Sequence, residues 1–282
     1  LSPKVIGITE ELNNSKNKGL DKLLNVRLEG KNIILGYYLN EDLKKGSDLL
    51  DVYTNNDNSG YLNLFFNKDK EYFTARSYYP LIKTKDGNYL SFSLSIIKRF
   101  NKKKYQEIIG RDNDMERVFF IGNLEKFSWV HGLDILKNVE EFSYLHGKIL
   151  LLGEFTPDKK PFDLTKGYFT PLNEESVGRT FPDMYPVVMQ GNIISMILNN
   201  RFYTSLPEWI AAIFAFFLCY INMIAFDRIN VKYKNWYEIT SVLIFLLESI
   251  IILFLTVVLF HEYNFELNLN LTIFAIALSV FV

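Results

Sequence analysis

The polar residues best placed to meet a ligand follow the apolar run Lys148–Leu152. Gly153-Glu154-Phe155-Thr156 comes directly after it, then Asp163, Thr170-Pro171-Leu172 and, at the front of a helical run, Gln190-Gly191-Asn192. If Lys148–Leu152 is a strand, these carboxylate, hydroxyl and amide groups gather past its carboxyl end, which is where α/β sheets bind ligands. Glu154, Thr156, Asp163, Thr170, Gln190 and Asn192 are therefore the candidate ligand-binding residues. The competing reading is that Asp163 and Thr170 satisfy backbone groups in a long loop.

Catalytic signatures are missing from the sequence. It has no Gly-x-x-x-x-Gly-Lys-Ser/Thr loop to cradle phosphates and no Gly-x-Ser-x-Gly elbow to present a nucleophile. His261-Glu262 begins like a zinc-protease motif, but Phe265 stands where the second His belongs, and His131 and His146 are far away. Asp112-Asn113-Asp114 has the acid spacing of a metal-holding pair, yet it lies in a polar turn, where Asp and Asn are expected anyway. Asn55–Gly60 resembles a calcium loop with Phe66 in place of the closing Glu, and reads as a loop tip. No catalytic residue, metal or cofactor is assigned.

Glu248 stands inside the apolar run Ile239–Phe260. A charged side chain at that depth of a bilayer costs about 3 kcal/mol by insertion scales, so the group is expected to be protonated or paired. It reads either as a proton relay or switch residue, or as a neutral acid hydrogen-bonded across a helix bundle, with Asn222 at hand. A transport path would need further polar groups at the same depth.

The elements that position these residues alternate strand and helix patterns. Val5–Thr9 and Ile33–Leu39 read as buried strands, with Asn13–Val26 a helix between them. Tyr61–Phe66, Tyr72–Tyr79, Tyr79–Thr84 and Tyr89–Phe92 are further strand-like runs. Lys85-Asp86-Gly87-Asn88 separates the last two, and Asp-Gly there signals a hairpin, because its central residues need positive φ. A helix is expected from Ser91 to about Lys104, then strands at Val118–Ile121 and Lys148–Leu152, then a helix from Met184 to Asn199. The fold class expected for residues 1–207 is α/β with a mixed sheet.

Beyond Pro207 the solvent changes. Of 31 Lys and Arg in the chain, only Arg228, Lys232 and Lys234 lie past that point. Trp209–Phe226 carries no charge and would make about 27 Å of helix, Ile239–Phe260 about 33 Å, and Leu269–Val282 begins a third apolar run. Residues 208–282 are thus expected to form a C-terminal bundle of α-helical membrane spans at 209–226, 239–260 and 269–282, the last one cut short. The loop holding the three basic residues is expected on the cytoplasmic side, and residues 1–207 outside. Trp209, Trp236 and Tyr237 suit the headgroup level. Ala211, Ala215 and Cys219 repeat every four residues and predict a small-residue face packed on a neighbouring helix. Cys219 is the single cysteine, so no disulfide forms. Near-balanced charge without a basic run removes the physical case for nucleic-acid binding. Leu1 leads almost at once into a strand, and a membrane anchor is expected upstream of it.

From about Tyr79 onward the sequence resembles the CHASE2 family, the extracytoplasmic sensory domain of bacterial transmembrane receptors. The residues that carry the likeness are Tyr79-Pro80-Leu81, Gly87, Ser91-Phe92-Ser93-Leu94, Leu145-His146-Gly147-Lys148-Ile149-Leu150-Leu151-Leu152-Gly153, Asp163, Thr170-Pro171-Leu172, Met184-Tyr185, Gln190-Gly191-Asn192, Met196-Ile197-Leu198 and Leu206-Pro207-Glu208-Trp209. Where that family commonly has a His and a first Gly, this chain has Gln190 and Pro186, so a role needing a titrating imidazole is absent. The resemblance implies one helix before the outer domain and three after it. It also implies a sensory role, commonly coupled to a cytoplasmic kinase, cyclase or diguanylate cyclase.

The expected function is a non-catalytic, membrane-anchored sensor in a bacterial inner membrane that passes an environmental signal through its helices. Its expected partners are an unidentified small-molecule or envelope ligand, the lipid bilayer and a cytoplasmic output module or partner protein; a homodimer fits the same reading. Two alternatives stand beside it. One is a membrane enzyme or transporter using Glu248 and the loop acids, which would lose function in Glu248→Gln; the other is a structural membrane protein that binds an envelope protein.

Overall fold

The computed structural model describes residues 3–12, 21–22, 26, 28, 32–40, 42–45, 56–64, 74–84, 87–157, 167–173, 181–267 and 269–279. The chain divides into two compact units, Leu1–Phe202 and Tyr203–Val282.

The first unit is α/β, built on a four-stranded sheet of β1 (Val5–Ile8), β2 (Ile33–Tyr37), β3 (Ser59–Tyr61) and the later strand Ile149–Leu152. The strand order is β3-β2-β1-(Ile149–Leu152), and every pairing in it is parallel. Apolar residues alternate across this sheet as the two-residue period of a strand requires. Val5, Ile34, Ile149 and Leu151 face the larger core, while Ile8, Leu35, Tyr37 and Tyr61 face a smaller one.

The larger core is filled by α1 (Phe92–Phe100) and by the apolar helix Pro186–Leu198. Ser91 caps α1 by accepting from the Leu94 N–H at 3.2 Å. The start of α1 lies so close to β3 that a Cβ on Gly60 would meet the Phe92 Cα at 2.5 Å. Only glycine permits that approach. The helix expected to continue to Lys104 breaks at Asn101, whose extended backbone ends α1 and whose side chain accepts from the Lys104 N–H to start α2 (Lys102–Ile109). The smaller core is covered by a hairpin that brings Ile82 and Tyr89 onto Tyr37 and Tyr61.

Other differences from the sequence pattern have local causes. Antiparallel strand pairing, expected within one mixed sheet, lies outside the four-stranded sheet, in the separate pairs β4 (Ser77–Tyr78) with β7 (Glu116–Arg117) and β5 (Leu81–Thr84) with β6 (Gly87–Leu90), with isolated antiparallel bridges at Leu39–Lys45 and Tyr168–Met184. The β5–β6 hairpin closes with Thr84 opposite Gly87, one residue earlier than an Asp-Gly turn would close it. Val118–Ile121 is not a strand, because its backbone bonds to helix side chains: Phe119 N–H donates to Met196 Sδ at 3.1 Å and Ile121 N–H to Asn192 Oδ1 at 2.8 Å. Ser59 and Gly60, read as part of a loop tip, are buried in β3, and the strand run from Tyr61 ends at that residue. Lys148–Leu152 is a strand at Ile149–Leu152, here β8, and Met184–Asn199 is a helix at Pro186–Leu198, begun by Pro186 in its first turn. A short helix, α3 (Gly132–Lys137), precedes β8, which makes Pro186–Leu198 α4. Most of the expected Asn13–Val26 helix lies outside the described residues; Asp21, Lys22, Val26 and Leu28 are helical.

The second unit holds α5 (Glu208–Lys232), α6 (Tyr237–Tyr263) and α7 (Asn270–Ser279). The first two are long and apolar enough to cross a membrane. Strands β9 (Thr204–Ser205) and β10 (Phe265–Glu266) pair in parallel beside α5 and α6, and Tyr203 stacks on Phe260 at 5.2 Å. Ala211 packs in one cluster with Ile252, Leu269 and Ile276. The Asn222 amide donates to Glu248 Oε2 at 2.7 Å, joining α5 to α6.

Candidate functional site

Glu154 and Thr156 are exposed just beyond β8, and the Glu154 N–H donates to Glu10 Oε1 at 3.0 Å. Asp163 lies outside the described residues. The other three candidates are buried, and each spends its polar atoms on a different neighbour. Thr170 donates through both its N–H and its hydroxyl to the Asp183 carboxylate. Gln190 Oε1 accepts from the Ser93 hydroxyl of α1 at 2.5 Å. Asn192 has 0% exposure; its amide donates to Gly122 O and Val188 O, each at 3.0 Å, while its oxygen accepts from Ile121 N–H. Thr170, Gln190 and Asn192 thus bind α4 and the loops around it to one another, along three separate directions.

A concave surface lies at the β3 edge of the sheet. A cleft of about 260 Å³ is lined by Tyr37 of β2, Asp57 and Ser59 at the start of β3, Leu81, Asn88, Tyr89 and Leu90 of the hairpin, and Lys98, Tyr105 and Ile109 of α1 and α2. The two-residue period of β2 turns Tyr37 toward this face, and the Leu81–Leu90 register carries Tyr89 over it. Lys45 Nζ stands 4.6 Å from the centre of the Tyr37 ring and 6.0 Å from that of Tyr89, a cation–π arrangement. It also donates to Ser59 Oγ at 3.5 Å. At the rim Lys98 pairs with Asp57 at 2.8 Å. Arg99 donates to Asp57 O at 3.1 Å and to Asn58 Oδ1 at 2.8 Å.

The electrostatics follow from depth. Burial pulls the Lys45 ammonium down to about 8, because the charged form loses water. Burial, and then the neighbouring Tyr89, push the Tyr37 hydroxyl well above its ordinary range. The hydrogen bond from Lys98, then its charge, hold Asp57 below the usual carboxylate value. The cleft offers aromatic side chains and hydroxyl and amide groups, a set suited to recognition. Among the described residues, no group of three or more His, Cys, Asp or Glu is placed to hold a metal ion.

The family model of the CHASE2 domain matches residues 1–224. The chain belongs to the CHASE2 domain family. CHASE2 domains are extracytoplasmic sensory domains, so the α/β unit is of a sensory class and the cleft lies within it. The match covers the whole of that unit and runs on into α5. No curated protein and no solved structure matches the chain.

The cleft residues Tyr37, Ser59, Tyr89 and Tyr105 escaped the sequence reading because they come from segments with no common motif. The one signal that pointed toward them is strand periodicity. Residues two apart in β2 and β3 share a face, and Tyr37, Ser59 and Tyr61 all fall on the side away from α1.

Proposed function

We propose that the chain is a membrane-anchored sensor module whose residues 1–207 face away from the cytoplasm of a bacterial cell and whose helices at 209–226, 239–260 and 269–282 cross the inner membrane. The observation that carries this reading is the CHASE2 match extending through residue 224, so that the sensory domain and the first long apolar helix belong to one family unit. The surface of α6 supports it. Only 6% of the apolar window in that stretch is buried within the chain, whereas a core helix of a water-soluble protein would be mostly covered. Arg228, Lys232 and Lys234, all in the stretch joining the first two spans, support a cytoplasmic side for that stretch.

In this reading the domain has no catalytic task. Ligand occupancy shifts α4, which is joined along the chain to α5 by the non-helical residues 199–207, and the shift passes to a cytoplasmic output module or partner as a piston or rotation. The ligand-contacting set includes Glu154 and Thr156 on the loop after β8, while Gln190 ties α4 to α1 and Asn192 ties it to the segment at 121–122. A homodimer would let two such helix sets move against each other.

Topology mapping tests the reading. With Cys219 replaced by Ala, single cysteines are placed at Leu136, 77% exposed in the first unit, and at Val231, 82% exposed beyond the apolar part of α5. A membrane-impermeant maleimide should label Leu136→Cys in cells whose inner membrane is intact, and Val231→Cys only after that membrane is opened. The reverse pattern, or equal labelling of both, overturns it.

A further inference from the structure

Helix α2 meets both the cleft and the point where the chain leaves the first unit. Tyr105 and Ile109 of α2 line the cleft. Arg111, just past the end of α2, holds its guanidinium carbon 4.4 Å from the centre of the Phe202 ring, and Phe202 is the last residue of that unit. We propose that Arg111 is a coupling residue, which carries a displacement of α2 to Phe202 and so to the segment that leads along the chain into α5. This rests on the sensor reading for its purpose and deepens it, by naming a contact through which occupancy of the cleft leaves the domain.

The link is held at both ends. Gly110 N–H donates to Gln106 O at 2.9 Å and Arg111 N–H to Ile108 O at 3.2 Å, so the Arg111 backbone travels with the last turn of α2. Glu116 aims the side chain, accepting from Arg111 Nε at 2.6 Å and from Nη2 at 3.3 Å. The Asn113 amide donates to the same carboxylate at 3.0 Å. Only 4% of the Glu116 side chain is exposed, and a buried carboxylate stripped of its cation is costly, so the pair stays together when the turn moves. At the receiving end, Arg201 N–H donates to Met196 O at 3.0 Å, which fixes the residue before Phe202 to the end of α4, and Phe202 packs against the larger core.

The sending end is built to shift. Asn101, with extended backbone, separates α2 from α1, and Asp112 takes a φ of 50° just beyond Arg111, so a break flanks the helix on either side. Within α2, Ile108 is the buried residue. A short helix with little buried surface between two breaks moves as a small rigid body, with the breaks absorbing the change. The residue type matters at the junction. A guanidinium can bind a carboxylate along its edge while resting against an aromatic ring, and a single ammonium cannot do both equally well.

The test uses the full chain in lipid nanodiscs, carrying Cys219→Ala and Asn88→Cys, with N-phenylmaleimide as the probe. Asn88 lines the cleft from the hairpin, so the adduct sets an aromatic ring in the space that Tyr105 and Ile109 share. Hydrogen exchange is read by mass spectrometry at residues 102–109 and 199–204. The adduct should speed exchange at both places, by about threefold or more at 199–204, a factor within reach of one partly exposed cation–π contact. In Arg111→Lys and in Phe202→Leu, exchange at 199–204 should already be raised and the adduct should add nothing there, while its effect at 102–109 persists. A residue that merely stabilised the fold would raise the baseline and leave the adduct's effect in place. Should the adduct leave 102–109 unchanged, Gln106→Gly, at an exposed position of α2, loosens the helix directly and the same comparison is read. The thermal melt of each variant checks that it is folded, and Phe202→Leu carries the comparison if Arg111→Lys is not. A disturbed α2 with unchanged exchange at 199–204, or an effect at 199–204 that survives Arg111→Lys or Phe202→Leu, would overturn the proposal. Transmission together with reversed maleimide labelling of Leu136→Cys and Val231→Cys would refute the sensor topology and leave the link standing; correct labelling without transmission would do the opposite.

Discussion

Asn192→Ala isolates what the buried amide of α4 contributes. The substitution removes the acceptor of the Ile121 N–H, at 2.8 Å, and the donor to Gly122 O, at 3.0 Å, in a seam where Asn192 has 0% exposure. The third bond, to Val188 O, is not orphaned, since that carbonyl keeps its place in the helix ladder. Two groups are therefore left without partners. At about 1–3 kcal/mol for each, the loss centres on about 4 kcal/mol. The better helix propensity of Ala returns roughly 0.5 kcal/mol, leaving about 3.5 kcal/mol. For a unit of this size that lowers Tm by about 7 to 14 °C. The assay is thermal unfolding of the full chain in detergent, followed by the near-ultraviolet signal of the first unit's aromatics. The control is Asn199→Ala, whose amide donates to Ser195 O at an exposed helix end and should cost about 0.5 kcal/mol. If Asn192→Ala melts within 2 or 3 degrees (about 1 kcal/mol) of the wild type, the amide is not what ties the segment at 119–123 to α4, and the reasoning fails.

Two other outcomes follow from the same packing. Gly60→Ala should cost about 2–3 kcal/mol in unfolding measurements, because its Cβ would meet backbone atoms of Phe92 at 2.5 and 2.8 Å and β3 would have to part from α1; Gly132→Ala, with open space around it in α3, should be neutral or stabilising by about 0.5 kcal/mol. Equal effects would show that the close approach is not what requires glycine. Lys45 should give stability a slope above neutrality. Its folded value, about 8, lies below the ordinary 10.5, so between those values the unfolded chain binds the extra proton and stability rises with pH. Below about pH 8 the burial cost is fully present; after discounting for partial exposure it amounts to about 1–2 kcal/mol. Lys45→Met should flatten that rise between pH 8 and 10 in chemical unfolding, and an unchanged slope would place the titration elsewhere.

Much of the scaffold was legible because apolar periodicity is local. Val5–Ile8, Ile33–Tyr37 and Ile149–Leu152 read as buried runs, α4 as a continuous apolar helix, and α5 and α6 as long segments nearly free of charge. The pairing of those strands was not legible. Whether an apolar run joins a parallel or an antiparallel ladder depends on which segment lies next to it, and the sheet places Val5–Ile8 between two strands that are distant in sequence. Val118–Ile121 shows the same limit. Its composition is that of a strand, and it became a loop because Asn192 and Met196 took the hydrogen bonds a neighbouring strand would have supplied.

By itself the sequence determined the α/β class, the family and the long apolar helices after Pro207, all of which are written in hydrophobic period, short motifs and charge distribution. The tertiary structure decided which polar residues bond within the core and which line the cleft. Thr170, Gln190 and Asn192 close bonds within the core, whereas Tyr37, Ser59, Tyr89 and Tyr105 meet around a cleft although they come from four separate segments. A side chain's use depends on its burial and on the atoms that reach it, and both are fixed by contacts between residues far apart in the chain.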